Sequence, residues 1–99
     1  MGIRFLYPEG KIKTLTMSYD DGVVQDRRLV KLFNESGIKG TFHINSGILD
    51  QGNRIASSEL KALYAGHEVS CHTVTHPFLE RLPRTEIERE IREDRRRLE

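Results

Sequence analysis

Between Lys13 and Tyr19 the chain alternates, with Leu15, Met17 and Tyr19 on one side and Thr14, Thr16 and Ser18 on the other. A period of two predicts a strand, which ends at Asp20-Asp21-Gly22. From Asp26 to Ser36 the apolar residues Leu29, Val30, Leu32 and Phe33 fall at helical spacing, and Gly37 supplies a residue that tolerates a left-handed stop. Ile38 to Asn45 predicts a second strand through Thr41, Phe42, His43 and Ile44, running into the turn signal Ser46-Gly47 and a loop to Asn53. Ser57 and Ser58 are placed to cap a helix through Glu59, Leu60, Leu63 and Tyr64 that Gly66 ends, and His67 to Cys71 then predicts a short third strand. Thr85 and Glu88 have capping-box spacing ahead of a last helix with Ile87, Ile91 and Leu98 on one side.

Strand and helix in alternation predict an α/β fold of repeated βα units, with parallel strands covered by helices. Three such units cannot close a barrel of about eight strands and ~250 residues, so the pattern implies part of a larger layer with open sheet edges. No repeat and no Pro/Gly/Ser linker divides the chain.

Composition narrows the function classes. Ninety-nine residues support one core at most. Sixteen Lys and Arg against 15 Asp and Glu leave a formal charge of +1, so no global field favours nucleic acid or any other polyanion. Cys71 is the sole cysteine, which excludes an intrachain disulfide framework and suits a reducing compartment. The opening Met1-Gly2-Ile3-Arg4-Phe5-Leu6-Tyr7-Pro8 is too short for a secretory apolar region, Leu6 stands where myristoylation needs Ser or Thr, and no run approaches the ~18 apolar residues of a membrane span. The expectation is a cytoplasmic chain with no membrane partner.

Chemistry gathers at the predicted strand ends. Asp20 and Asp21 follow strand one, and His72 and His76 follow strand three. In parallel α/β architectures the carboxyl ends of the strands share one face, so groups ~50 residues apart can meet there. Two imidazoles and one carboxylate make three protein ligands, which leaves a catalytic zinc one open position, and the second carboxylate is then free to act as a base. Gly22 lets the chain turn at once, so both carboxylates can face one cavity and divide the two roles. Alone, Asp-Asp-Gly also reads as a solvated turn. The four-residue spacing of His72 and His76 would suit a helix, but Pro77 biases His76 away from helical geometry and predicts a loop clamp.

Taken together, Thr14 to Gly22, Gly37 to Phe42 and Gly66 to Pro77 resemble the polysaccharide deacetylase family, also called NodB-homology or carbohydrate esterase family 4. The likeness spans most of the chain and rests on the order and spacing of all three segments. It implies that residues 1–99 form the amino-terminal portion of one distorted (β/α) barrel domain. It further implies metal-dependent hydrolysis of acetyl groups, N-acetyl or O-acetyl, on a carbohydrate substrate. Carried over by position, Asp20 resembles the general base, and Asp21, His72 and His76 resemble the metal triad, commonly for zinc, with cobalt or nickel able to substitute. Thr73 matches the Ser/Thr that braces the histidine loop. Tyr19, in a segment that more often reads Thr-Phe-Asp-Asp-Gly, adds a hydroxyl near the site. The family's later base-orienting Arg, pocket aromatic and late His have no counterpart here, and no His follows His76. These departures imply that the chain carries base and metal ligands without the full active site, and that turnover by it alone is weak or absent. The competing expectation is a noncatalytic assembly unit that pairs through its open sheet as a homo-oligomer.

Other signals read more simply. His43, late in strand two, can line the same face or serve structure; His67 after Gly66 reads as a local hydrogen-bonder. Cys71 reads as a small buried hydrophobe. Gly37-Ile38-Lys39-Gly40 is a helix stop rather than an RNA-clamping loop. The charges from Arg84 to Glu99 cancel, with Glu88–Arg92 and Glu93–Arg97 at helix-pair spacing, and predict a solvated helix face.

Overall fold

The computed structural model describes residues 2–99. Three short strands, β1 (Ser18–Asp20), β2 (Thr41–Ile44) and β3 (Glu68–Cys71), form a parallel sheet in the order β1-β2-β3. Parallel neighbours need a crossover. The first is α1 (Asp26–Ser36), and the second is a 3-10 turn (Ser57–Glu59) continuing into α2 (Leu60–Leu63). A last helix, α3 (Arg84–Leu98), packs against β3. The α/β reading with parallel strands and covering helices therefore holds.

The core lies between the sheet and the crossovers. β2 alternates, burying Phe42 and Ile44 and leaving Thr41 and His43 half-buried on its other face. Val30 and Phe33 of α1, Leu49 and Ile55 of the β2–α2 loop, and Tyr64 complete the buried cluster. Phe42 is its centre, with ring centroids 4.6 Å from Tyr64 and 5.9 Å from Tyr19. Beneath them Tyr64 Oη donates to Asp26 Oδ2 at 2.6 Å, so this buried carboxylate is partnered.

Three expectations are corrected. The strand begun at Lys13 pairs only from Ser18, because the Thr41 N–H to Met17 carbonyl bond is its first rung and, among the described residues, Lys13–Thr16 have no main-chain hydrogen-bond partner. Leu15, although in phase with Met17 and Tyr19, is 83% exposed. Ser57 and Ser58 do not cap α2: Ala56 precedes the turn, and Asp50 Oδ1 instead accepts the Ser57 N–H at 2.8 Å. Nor does the Thr85/Glu88 box form, since Pro83 is the last non-helical residue, Thr85 lies inside α3, and Glu88 pairs with Arg84 at 3.0 Å.

The face of α3 is also rotated from expectation. Ile91 is 47% exposed, while Glu90 and Asp94 are buried at 2% and 0%. The solvated-face reading thus holds for the rest of the helix, where Glu93 bridges Arg96 and Arg97, but fails at these two acids. Among the described residues no helix is long and apolar enough to cross a membrane.

Candidate metal centre

Immediately after β1 the chain reverses. Asp21 has φ 81° and Gly22 φ 62°, a pair of left-handed residues that aspartate tolerates better than most side chains and glycine adopts without penalty. The Asp21 N–H donates to the His43 carbonyl at 2.8 Å, and the Gly22 carbonyl accepts the Ile55 N–H at 2.9 Å. Asp20, the last residue of β1, stays largely exposed while Asp21 turns inward.

Two strands away, β3 ends at Cys71 and the loop His72–His76 begins. Here too the backbone is unusual, with φ 70° at Thr73 and 57° at His76. Thr73 Oγ1 accepts the His76 N–H at 3.1 Å, bracing the loop from within. From the end of β2, the buried Asn45 donates through Nδ2 to the His72 carbonyl and, at 3.1 Å, to the Thr73 carbonyl. Gly47 N–H donates to the Val74 carbonyl at 2.9 Å.

These turns bring Asp21, His72 and His76 together. Asp21 Oδ1 lies 3.4 Å from Nε2 of His72 and 3.4 Å from Nε2 of His76. The three candidate ligand atoms all fall within 4.8 Å of one another. Two donors bound tetrahedrally to one ion at about 2.1 Å stand about 3.4 Å apart. The same Oδ1 is buried and has no hydrogen-bond partner, a costly state for a carboxylate oxygen that a cation would relieve. The residues present therefore fit a divalent ion. Asp20 Oδ2 sits 4.0 Å from His72 Nε2, beside the cluster rather than in it.

Arg54 went unnoticed in the sequence. From the β2–α2 loop its Nη1 donates to the Asp21 carbonyl at 2.8 Å and lies 3.6 Å from Asp21 Oδ2. It ties down the left-handed turn through the main chain and forms a loose ion pair with the far carboxylate oxygen, on the side away from the imidazoles. No local motif marks such a residue; only the fold brings residue 54 to residue 21.

Other expected positions fall outside the cluster. Tyr19, assigned a place near the site, packs its ring 5.8 Å from Phe33 and 5.9 Å from Phe42 in the aromatic core. His43 shares a 2.7 Å hydrogen bond with Ser18 Oγ, its ring centroid 6.1 Å from that of His72. His67 accepts the Gly40 N–H on Nδ1 at 3.0 Å and faces Asn34 Oδ1 through Nε2 at 2.7 Å, the local hydrogen-bonder expected. Cys71 is half-buried, and burial together with the Asp94 charge pushes its thiol above the usual range, away from nucleophilic use.

The structure is a parallel α/β layer whose carboxyl ends carry a cluster of two histidines and a carboxylate able to hold a divalent ion. The family model for polysaccharide deacetylase matches residues 8–99, and the chain belongs to that family. Among solved structures, a deacetylase from Streptococcus pyogenes in complex with acetate superposes with a TM-score of 0.78 at 18% identity, covering 88% of this chain and 40% of that one. A polysaccharide deacetylase from Bacillus cereus superposes with a TM-score of 0.77 at 19% identity, covering 90% of this chain and 30% of that one. The chain thus spans less than half the length of either structure. No curated protein matches it.

Proposed function

We propose that the chain carries the base and the metal ligands of a deacetylase acting on acetylated carbohydrate, with N-acetyl groups the principal target and O-acetyl groups the alternative. The observation that carries this reading is the buried, unpartnered Asp21 Oδ1 at 3.4 Å from two imidazoles, on the face where βα enzymes place their chemistry. Family membership and the likeness to deacetylase folds support it.

Asp21, His72 and His76 would hold the ion, zinc in the first instance, with cobalt and nickel suited to the same donors. When bound, such an ion supplies a Lewis acid for the acyl oxygen and acidifies water. Asp20 is the base of the site: its exposed carboxylate, held at the strand end, can accept a proton from the water that adds to the acetyl carbon. Arg54 positions Asp21 by donating to its main-chain carbonyl and lying 3.6 Å from Oδ2. The histidine loop, tied by Asn45 and Thr73, keeps both Nε2 atoms pointed at Asp21.

The test is release of acetate from acetylated chito-oligosaccharide and from acetylated xylan by the zinc-loaded protein, beside Asp20→Asn. Acetate release lost in the variant supports the assignment. Measurable release that persists unchanged in Asp20→Asn, or binding of no metal, overturns it, whereas zinc bound without turnover is the outcome expected of a chain that holds base and ligands without the full active site.

A second reading has its own observation. β3 has no strand on its outer side among the described residues, and Val69, Leu60 and Leu98 line an open apolar surface beside it. Such an edge favours pairing with another copy, and sedimentation equilibrium reads it directly. A monomer at every concentration removes this reading.

A further inference from the structure

We infer that Asp94 and Glu90, two buried carboxylates on one face of α3, are positioning residues of the metal centre: they clamp the main chain on which His72 and His76 are mounted. The inference rests on the metal-centre reading above and extends it to a helix that contributes no ligand.

The geometry is reciprocal between the two acids. Asp94 Oδ2 accepts the His72 N–H at 2.8 Å, a donor shared with the Ile44 carbonyl at 3.1 Å, and its Oδ1 accepts the Ser46 N–H at 2.7 Å. One carboxylate thereby ties the exit of β3 to the exit of β2. One helical turn earlier, Glu90 Oε2 accepts the Thr75 N–H at 2.9 Å and Oε1 accepts the Thr75 hydroxyl at 3.1 Å. Adding Asn45 on the His72 and Thr73 carbonyls, Gly47 on the Val74 carbonyl and Thr73 on the His76 N–H, every residue from His72 to His76 has a main-chain group fixed.

Stability alone does not explain these acids. Asp94 is fully buried, and among the described residues it has no ion-pair partner; only backbone N–H groups compensate it. Burying a carboxylate is costly, and well-packed apolar residues commonly replace buried charges at no loss. What the arrangement achieves is control of a loop that does not hold its own shape. The left-handed conformations of Thr73 and His76 are strained and persist only where their surroundings over-determine them. Asp94 and Glu90 grip that loop at its first and fourth residues, so the separation of both imidazoles from Asp21 is set through α3. The Asp94 carboxylate behind the ligands also favours a cation, while Glu90 is paired with Arg89 at 3.1 Å.

The test is zinc affinity by chelator competition, with the visible spectrum of the cobalt-loaded protein, on the full chain and on Asp94→Asn, Glu90→Gln, Asp94→Ala and Val30→Ala. Asp94→Asn keeps the outline and one acceptor, and it decides the matter if Asp94→Ala does not fold. Expected are a zinc Kd about 10- to 100-fold weaker in Asp94→Asn, a smaller loss in Glu90→Gln, and altered cobalt bands in both. Val30→Ala, in the core under α1, lowers Tm but leaves Kd and bands unchanged, separating positioning from general destabilisation. Folded Asp94→Asn and Glu90→Gln with wild-type Kd and wild-type bands would overturn the inference alone. A wild-type protein that binds no zinc would overturn the metal-centre reading and this inference with it.

Discussion

Gly47→Ala is the smallest change that should disturb the histidine loop. An ideal Cβ at Gly47 would stand 2.5 Å from Val74 Cγ1 and 2.7 Å from the Val74 carbonyl oxygen, the same oxygen that the Gly47 N–H binds at 2.9 Å. Real Cβ atoms do not approach so closely, and the carbonyl is main chain, so a rotamer change cannot relieve it. Either the loop moves out and the hydrogen bond lengthens, or the turn at Ser46-Gly47 opens. Overpacking costs typically 1–3 kcal/mol and a lost hydrogen bond about 1 kcal/mol more, so the expected loss is about 3 kcal/mol. For a domain of this size that corresponds to a Tm lowered by roughly 12–24 °C. Urea denaturation with an unchanged m-value is the assay, and Gly52→Ala is the comparison. Gly52 has φ 51° and open space around its Cβ position, so it isolates backbone strain, while Gly47 is not left-handed and isolates the clash. A Gly47→Ala protein within about 0.5 kcal/mol of wild type, the range of an ordinary surface change, would refute the packing argument.

Further outcomes follow from other contacts. Tyr64→Phe removes the donor to the buried Asp26 carboxylate and should cost about 1–3 kcal/mol in denaturant unfolding; a neutral result would mean that Asp26 finds another partner. His67 has a folded-state pKa held below its ordinary value, first by burial and then by the nearby Lys39 charge. The unfolded chain therefore binds the proton more readily, so this contribution is complete above about pH 6.5 and is lost as pH falls from there toward the depressed folded value. Unfolding measured at pH 7.5 and 5 should show a smaller acid loss in His67→Asn than in wild type. Asp20→Asn should leave zinc affinity unchanged, whereas Asp21→Asn weakens it at least about 10- to 100-fold, and isothermal titration distinguishes a base from a ligand.

The residues that carry the proposed chemistry were legible because they are local to strand ends. Asp20-Asp21-Gly22 and His72–His76 each follow a recognisable strand, and a parallel sheet aligns those ends automatically. What supports them was not legible, because it arrives from elsewhere in the fold. Glu90 and Asp94 look like two acids among many in a charge-balanced helix. Yet Ile87, Glu90, Asp94 and Leu98 follow one stripe at helical spacing, and that stripe, rather than Ile87 with Ile91, is the one that α3 turns inward. The acids on it were the available signal that a polar partner waited beneath. Arg54 and Asn45 offered none, since their roles depend on which loops the crossovers bring together. Alternation at Lys13–Thr16 was real as a pattern, but a strand needs a neighbour, and β2 supplies one only from Ser18 onward.

Asp21, His72 and His76 are the proposed ligands of one metal centre. Zinc titration of the purified chain beside the Asp21→Ala, His72→Ala, His76→Ala triple variant tests it most directly. The expected result is one zinc bound per wild-type chain and no zinc bound by the variant. Equal binding by both proteins, or none by either, would contradict it.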